Sequence, residues 1–452
     1  MAREPEAITT LRRALGDRLA TFRQAAELTQ GQLAQAAICD RTTVAHIEKG
    51  RSRGDERFWQ AADQACRADG SLLTGFHEFQ AAKAEHEQVV RVRELADVRA
   101  RVAQLQKRPG APTPMPAVDQ AGSYQASLDA LRQVVLGRAV VATSHIPFNI
   151  ATTQAATREA HRLYQSADYD GAADLLPTLL WQLDRLADTN DGSMNSVNLT
   201  QTMAAAYVAA AKLATKQADA GLAWVTADRA LRQAQESGHH GLIGAAQYQV
   251  ACALLRAGHE EDAEQLAVST ADDMTRRHMP PGGAAHRQET LSVRGALLLL
   301  SAILAARRGD RTQAQQHLQN AWQLAEQLSV DGNWLWTAFG PTNVAIHEVA
   351  VRLDLGDTKQ AVQLGAAIDT DCLPKVLAGR RSQVHLDLAR AAVQQEEDGL
   401  AVLHLLEGER VAAQVISRNA AARSLLSTLL GRERTGATPG LRALAARADV
   451  LR

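Results

Sequence analysis

The stretch that decides the architecture of the first part of the chain is residues 11–60, LRRALGDRLATFRQAAELTQGQLAQAAICDRTTVAHIEKGRSRGDERFWQ. Its opening segment places Leu15, Leu19 and Phe22 at helical spacing, so a first helix has one apolar face. The segment after that helix is broken twice by polar residues that favour helix starts. The stretch therefore predicts a first helix followed by two short ones.

The second helix is predicted from its start signal and its two apolar residues. Thr29 is a favourable N-cap, because its hydroxyl can accept a hydrogen bond from a free backbone N–H group of the first turn. Leu33 and Ala34 then lie on the buried side. The turn that follows is predicted at residues 37–39, with Ile38 pointing into the core.

The third helix is predicted between Asp40 as its N-cap and Gly50 as its C-cap. Val44 and Ile47 face inward. The first turn and a half therefore presents its polar residues outward, which is the geometry of a helix that enters a DNA major groove. These outward residues are Arg41, Thr42, Thr43 and His46.

Residues 11–75 resemble the phage-repressor-like, XRE-type helix-turn-helix family. The resemblance rests on Leu28-Thr29-Gln30 before Leu33-Ala34, and on Thr42-Thr43-Val44-Ala45-His46-Ile47-Glu48-Lys49-Gly50-Arg51. It implies double-stranded DNA as the partner, an internal ion pair between Arg23 and Glu48, and two groups of contacts. The base-contacting residues would be Arg41, Thr42, Thr43 and His46, and the phosphate-contacting residues Gln30, Lys49, Arg51 and Arg53.

Two other interpretations of this unit stay open. Small helical units with a Gly C-cap also occur as protein-binding or purely structural modules, and His46 is compatible with an exposed position that contacts no base. Arg41 is the strongest candidate, because Arg to guanine is the commonest specific contact. Residues 11–53 hold eight Lys or Arg against four Asp or Glu, a local excess that suits phosphate binding.

Composition limits the possible classes of protein. The formal net charge is −1, so any affinity for nucleic acid has to be local. The sequence shows no uninterrupted apolar run of membrane length and no apolar signal core, so we expect no membrane partner and a cytoplasmic location. The four cysteines are far apart and are predicted to be buried, unpaired small hydrophobes.

The chain carries no motif of a common enzyme class. A zinc-protease His-Glu-x-x-His, a phosphate-binding P-loop, a dinucleotide Gly-x-Gly-x-x-Gly and a nucleophile-elbow Gly-x-Ser-x-Gly are all missing from the sequence. We therefore expect no catalytic residues, no cofactor, no metal site and no enzyme. Ala and Leu are abundant, aromatics make up 4%, and strand-like alternation is nearly missing, so the predicted fold is all-α.

Four segments are predicted along the chain. Residues 1–76 form a five-helix DNA-binding domain, and residues 77–107 a polar connecting helix. Its apolar residues (Leu95, Val98, Val102 and Leu105) allow either dimerisation or packing within the chain. Residues 108–121, with four prolines in the nine residues 108–116, form a stiff extended linker. Residues 122–452 form a helical repeat domain for sensing and dimerisation.

The repeat domain is recognised by its turns. Each has a small residue, polar residues and then an Ala that marks close packing, and copies recur at roughly 40–51 residues. They resemble tetratricopeptide (TPR) repeats with lengthened helices, which implies an α-solenoid whose groove binds extended peptides or partner helices. The four clearest turns are 166–172, 256–263, 308–314 and 355–361, with weaker copies at 217–219 and 395–399.

Two segments of the repeat domain are candidates for ligand binding. In one, Asn and Gln residues on a first helix would clamp a peptide backbone. In the other, an aromatic cluster beside a Gly-Pro break would form a pocket, with an Arg on another helix for a carboxylate. The alternative is that the aromatics are core and the Asn residues are caps. The candidates are Asn195, Asn198 and Gln201, with Tyr207 beside them, then Trp334, Trp336, Asn343 and His347, and Arg294.

The whole layout resembles two groups of regulators, the peptide-responsive quorum-sensing regulators of Gram-positive bacteria and large Ala/Arg-rich actinobacterial regulators. Residues 339–343, 381–390 and 441–445 carry the second likeness. It implies a cytoplasmic homodimeric transcription regulator whose repeats bind a peptide or small-molecule signal. A plasmid or replication-maintenance factor and a TPR adaptor that binds protein remain as alternatives.

Overall fold

The protein is all-α, as predicted. The computed structural model describes residues 6–52, 54–83, 117–137, 148–189, 196–276, 283–433 and 438–451, and no strand occurs among them. Two compact units are separated at residues 100 and 101.

The described residues of the first unit form five helices, the number predicted. A buried aromatic cluster of Phe58, Trp59 and Phe76 holds the last two together, with Trp59 and Phe76 stacked at 6.0 Å between ring centroids. The helices are α1 (Glu6–Ala25), α2 (Gln30–Ala36), α3 (Arg41–Glu48), α4 (Glu56–Ala65) and α5 (71–83).

The predicted boundary at residues 76 and 77 falls inside α5. Phe79 follows Phe76 by three residues, so both lie on the same face of the helix, and Phe79 is 4% exposed in the core of this unit. The start of the predicted connecting segment 77–107 is therefore part of the helical domain. Its candidate dimerisation residues lie outside the described residues.

The turn between α2 and α3 differs from the prediction. Ile38 is 94% exposed and has a left-handed φ of +51°, so the prediction that it points into the core was wrong. The chain has to reverse between two short helices, and a left-handed residue makes that reversal. Its side chain is thereby turned outward although it is apolar. Such a conformation is unfavourable for a β-branched residue.

The second unit consists of antiparallel helix pairs. Its helices are α6 (Ala117–Val135), α7 (Ile150–Gln165), α8 (Tyr169–Thr189), α9 (Ser196–Lys216), α10 (Ala220–Ser237), α11 (His240–Arg256), α12 (Glu260–Arg276), α13 (Ala284–Arg307), α14 (Arg311–Leu328), α15 (Pro341–Asp354), α16 (Thr358–Ala367), α17 (Ala378–Gln394), α18 (Asp398–Val411), α19 (Ala413–Arg418), α20 (Ala420–Gly431) and α21 (Leu441–Arg447). One short 3-10 turn is at Trp334–Trp336 and another at Thr370–Cys372.

The four predicted repeat turns are confirmed as the links within helix pairs. The Ala that closes each turn is at most 1% exposed, which lets the second helix approach the first closely. These residues are Ala172, Ala263, Ala314 and Ala361. The two weaker copies also fall between paired helices, at the links from α9 to α10 and from α17 to α18.

The first helices of successive pairs pack on one another from α7 to α17, and α17 also contacts α7. The array thus returns to its own beginning, a feature that the sequence did not predict. Arg418 in α19 forms two 3.1 Å hydrogen bonds with Asp170 in α8. Gln414 Oε1 accepts the backbone N–H of Tyr169 at 2.6 Å and that of Asp170 at 3.0 Å. The inner helices therefore surround a partly open cavity instead of lining an open groove.

Three smaller expectations also change. The predicted extended linker 108–121 ends in helix, because α6 begins at Ala117 once the prolines are past. All four cysteines are free, but only Cys66 is buried as predicted: Cys39 and Cys252 are partly buried and Cys372 is exposed. By length and composition alone, Ala285–Arg307 in α13 is apolar enough to cross a membrane. The prediction from uninterrupted apolar runs did not identify this helix. However, 83% of its apolar window is buried within this unit.

We predict that Ile38→Asn raises the free energy of unfolding of the first unit by about 1 kcal/mol, because Asn tolerates the left-handed conformation and little apolar burial is lost. Hydrogen exchange of α2 and α3 measures this local stability. Ile38→Val is the matched control, since it keeps the β-branch and should change little. A destabilised Ile38→Asn variant would mean that the exposed Ile contributes to stability.

Candidate functional site

Helix α3 presents the polar face that the sequence predicted. Val44 and Ile47 are at most 1% exposed, so one side of the helix is fixed in the core. On the opposite side Arg41, Thr42 and His46 are exposed, and Thr43 is partly so. Among the described residues none of these four side chains has a hydrogen-bond or ion-pair partner, so each is available to an external ligand.

A charged network behind this face anchors α3. Glu48, the last residue of α3, is 8% exposed and accepts hydrogen bonds from Arg23 of α1 at 2.5 and 3.2 Å. Arg23 also donates to the carbonyl of Leu28 at 2.8 Å. The predicted Arg23–Glu48 ion pair is confirmed. The hydrogen bond to Glu48 raises the pKa of Arg23, although burial opposes that rise.

Gln30 belongs to the same network. Its amide nitrogen donates to Glu48 Oε2 at 2.7 Å, so the side chain predicted to contact phosphate ties the start of α2 to the end of α3. Thr29 caps α2 as predicted, with its hydroxyl accepting from the N–H of Gln32. Asp40 occupies the N-cap position of α3, but its side chain makes no capping bond.

Close packing of α1 against the end of α3 depends on two glycines. A Cβ on Gly16 would lie 2.4 Å from the carbonyl oxygen of Ile47, so a larger residue would force the helices apart. Gly50 follows the C-cap of α3 with a φ of +62°, and its carbonyl accepts from Arg12 Nε at 2.7 Å. The C-terminal end of α3 is therefore fixed closely against α1.

The other predicted phosphate contacts lie just beyond α3. Lys49 and Arg51 are exposed and have no side-chain partner among the described residues. Arg53 lies outside the described residues. The described positive charges next to the free face of α3 are thus Arg41, Lys49 and Arg51, which suits a surface that binds an extended polyanion.

In the second unit the inner face encloses a chamber of about 480 Å³. We use the term chamber for the cavity lined mainly by helices α7, α9, α11, α13 and α17 and by residues 335–338. Of the predicted ligand residues, Trp336 lines it. Its ring stacks on His161 with 3.6 Å between centroids. The other predicted ligand residues that the structure describes do not contribute to the chamber wall.

The predicted Asn and Gln clamp on α9 does not line the chamber. Asn198 is exposed, Gln201 is half-buried, and Asn195 lies outside the described residues. Tyr207 is buried, and its hydroxyl accepts a 3.0 Å hydrogen bond from Arg229. Helix α9 does line the chamber, but through its second half, from Val208 onward.

Trp334, Asn343, His347 and Arg294 lie in the walls of the domain rather than in the chamber. Asn343 is 1% exposed, and His347 Nδ1 bonds to its carbonyl oxygen at 2.8 Å. Burial, with the nearby charge of Arg380, lowers the pKa of His347 to about 3, so this imidazole is neutral. The aromatic cluster is thus mostly core, with Trp336 as the exception.

Sequence reasoning missed the basic residues of the chamber. Lys212, Lys216 and Arg380 line it, together with Arg256 at its edge. A usable signal was present in α9, where Lys212 follows a run of nine residues, 203–211, that are all buried. A lysine one turn before another lysine, on an otherwise apolar inner helix, points to a cavity with a polar function.

A family model described as a helix-turn-helix domain matches residues 14–74. The match covers α1 to α4 and the start of α5, and includes the free face of α3. The chain therefore carries a helix-turn-helix domain, which supports DNA binding. No curated protein and no solved structure matches the chain.

We predict that Arg23→Met destabilises the packing of α3 by about 3 kcal/mol, because Glu48 would be left buried without its cation. Hydrogen exchange of the α3 amides gives the local opening free energy. The matched control is Arg232→Met in the exposed pair with Asp228, which should cost less than about 1 kcal/mol. Equal effects of the two substitutions would contradict an anchoring role for the Arg23–Glu48 pair.

Proposed function

We propose that the protein is a sequence-specific DNA-binding transcriptional regulator, in which the helical array of the second unit receives a signal that controls DNA binding. One observation carries this proposal. Helix α3 is fixed from behind by Arg23, Glu48 and Gln30 and presents polar side chains that no described residue engages. A helix held rigidly with a free polar face is suited to read base edges in the major groove.

In this proposal Arg41, Thr42, Thr43 and His46 contact bases, whereas Lys49 and Arg51 contact phosphates. Only these four side chains of α3 are proposed to contact bases, so one copy of the domain would distinguish only a few base pairs. We therefore propose that the protein acts as a homodimer on two half-sites in the cytoplasm, by binding and not by catalysis. Family resemblance to XRE-type and TPR-containing regulators supports this arrangement.

The second unit supports the sensing part of the proposal through its chamber. A pocket of several hundred Å³ with aromatic and charged lining residues is typical of a small-ligand site. A signal that binds one state of the array better than another would shift the population between a DNA-binding and a non-binding form. The sign of the regulation follows from which form the signal favours.

The DNA-binding role is tested by selecting bound fragments from the organism's own genomic DNA with the full-length protein and sequencing them. We expect a recurrent site with two related halves, and a sedimentation mass of two chains. Recovery of fragments without any shared site would overturn sequence-specific binding. A single half-site bound by a monomer would overturn the dimer but leave DNA binding intact.

We predict that Arg41→Ala loses discrimination at one position of each half-site by about 1–3 kcal/mol, as expected for a bidentate Arg–guanine contact. Affinities for the selected site and for single-base variants of it give this number. Arg18→Ala is the matched control: Arg18 bonds Ser71 of α5 at 2.8 Å and lies two residues beyond Gly16, on the side of α1 away from α3. Equal losses on all sequences for Arg41→Ala would contradict base reading.

Arg51→Ala should instead weaken binding to all sequences about equally and lower the slope of log affinity against log salt by about one, because it removes one phosphate contact. Titrations of the selected site and of an unrelated duplex between low and moderate salt measure both effects. A loss confined to the selected site would move Arg51 from phosphate contact to base reading.

A further inference from the structure

The chamber has an unusual charge. Six cations line it. Arg307 and Arg390 are paired with Asp354, whereas the other four have no carboxylate within ion-pair distance among the described residues: Lys212 and Lys216 on α9, Arg256 on α11 and Arg380 on α17. Surface cations elsewhere in this unit are commonly paired with Asp or Glu. These four charges therefore remain uncompensated.

The carboxylate in the chamber lining does not form an ion pair with any of these four cations. Asp387 is the acidic residue among the described residues of the lining, and it is already held by Gln383 at 3.1 Å and Arg390 at 3.5 Å. Arg390 in turn donates to Asp354 at 2.7 Å. Asp387 Oδ2 has no hydrogen-bond partner, yet none of the four cations lies within ion-pair distance of this carboxylate, so its charge offsets them only at longer range.

The two lysines are enclosed by protein, yet each keeps a part of its surface that opens into the chamber. Lys212 Nζ lies 6.0 Å from the ring centroid of Tyr164, and Lys216 Nζ lies 5.9 Å from that of Tyr169. Enclosed ammonium groups without a counter-charge are costly to a folded protein. Burial accordingly lowers the pKa of Lys212 to about 7 and that of Lys216 to about 8.

We propose that the chamber binds a small organic dianion, whose two negative charges Lys212, Lys216 and Arg380 neutralise while Tyr248 and Trp336 contact its apolar body. This proposal rests on the proposed function and names the chemical class of its signal. Two negative charges compensate more of the four unpaired cations than a single negative charge would. The volume of about 480 Å³ fits a metabolite or a very short acidic peptide.

A strained segment of the chamber wall couples anion binding to a change in the contacts of the protein. Leu335, Trp336 and Ala338 all have left-handed φ angles, between +47° and +56°, which side chains of this kind rarely adopt. Lys212 Nζ donates to the carbonyl oxygen of Trp336 at 2.7 Å. An anion that attracts this ammonium competes with the carbonyl, so binding changes the contact that holds the strained segment.

The segment is also tied to the closing point of the array. Asn333 and Gln165 exchange two amide hydrogen bonds, at 2.6 and 2.8 Å, and Thr337 bonds Ser292 at 2.8 Å. Gln165 is the last residue of α7, next to the turn that Gln414 and Arg418 hold. A change at Lys212 therefore reaches the place where the array meets its own beginning.

The experiment uses phenyl phosphate as an aromatic dianion, benzenesulfonate as a monoanion, benzyl alcohol as a neutral analogue and inorganic phosphate, all at matched ionic strength with the full-length protein. N-acetyl-Asp-Phe, with two carboxylates, represents a short acidic peptide. We expect the two organic dianions to raise Tm and to bind in calorimetry, and the monoanion and the neutral analogue to do so at least tenfold more weakly. Tighter binding of one dianion assigns the source as metabolite or peptide.

Proton uptake gives a second readout. At pH 8 the lysines are partly neutral, so a bound dianion should draw in between one and two protons, seen as a dependence of binding heat on the ionisation heat of the buffer. Asp387, whose pKa burial raises to about 6, stays ionised, while burial keeps the pKa of the facing tyrosines and of Cys252 above this range. The groups that face the two lysines are Tyr164, Tyr169, Tyr248, Cys252, Asp387 and the charged Arg256 and Arg380.

Lys216→Met separates this proposal from a structural role. The variant should raise Tm without ligand, because it removes an uncompensated charge, and should lose at least tenfold in dianion affinity. Lys359→Met, at an exposed position on α16, is the matched control and should behave like the wild type. Lack of any dianion-dependent Tm shift and proton uptake, or a Lys216→Met variant that binds like the wild type, would overturn the proposal.

Failure of the anion proposal can be distinguished from failure of the proposed function. Dianion binding that leaves operator affinity unchanged supports the chamber as an anion site and removes its role as the control site. DNA selection without any recurrent site removes the regulator and leaves the measured anion binding untouched. Measuring operator affinity with and without phenyl phosphate, in the wild type and in Lys216→Met, distinguishes these results.

Discussion

The return of the helical array to its own beginning is the constraint on which the second unit depends. Asp170 and Arg418 are separated by 248 residues, and their paired hydrogen bonds join the second helix of the array to one of the last. Arg418 also lies over the ring of Tyr124 at 4.5 Å, which brings α6 into the same contact. Without this closure the inner helices would face solvent, and the enclosed lysines would have ordinary surface positions.

Local features of this architecture were predictable because their causes are local. A polar turn followed by Ala indicates a helix pair wherever it occurs, and the burial of Ala172 and Ala314 follows from the close approach that only a small residue allows. Closure depends on a pair of residues hundreds of positions apart, and no periodicity in the sequence encodes it. The open groove expected from the repeat pattern therefore became a chamber.

The same distinction holds in the first unit. The outward face of α3 was predicted because helical periodicity alone places Val44 and Ile47 inside. The direction of Ile38 was predicted wrongly, because a left-handed φ overrides the tendency of an apolar residue to be buried. Gln30 was expected to face an anion because it starts a helix. Its amide instead completes the bonds of Glu48, a carboxylate whose burial is visible only in the fold.

The two units handle buried charge in opposite ways, and this contrast bears on function. In the first unit Glu48 is surrounded by Arg23 and Gln30, so the charge is compensated and the helix it anchors is rigid, as a reading surface requires. In the second unit Lys212 has a backbone carbonyl and an aromatic ring as neighbours but no carboxylate, and that carbonyl belongs to a strained segment. A compensated charge stabilises one arrangement. An uncompensated charge lets a bound anion change the balance between two arrangements, because the anion supplies an interaction that the protein itself lacks.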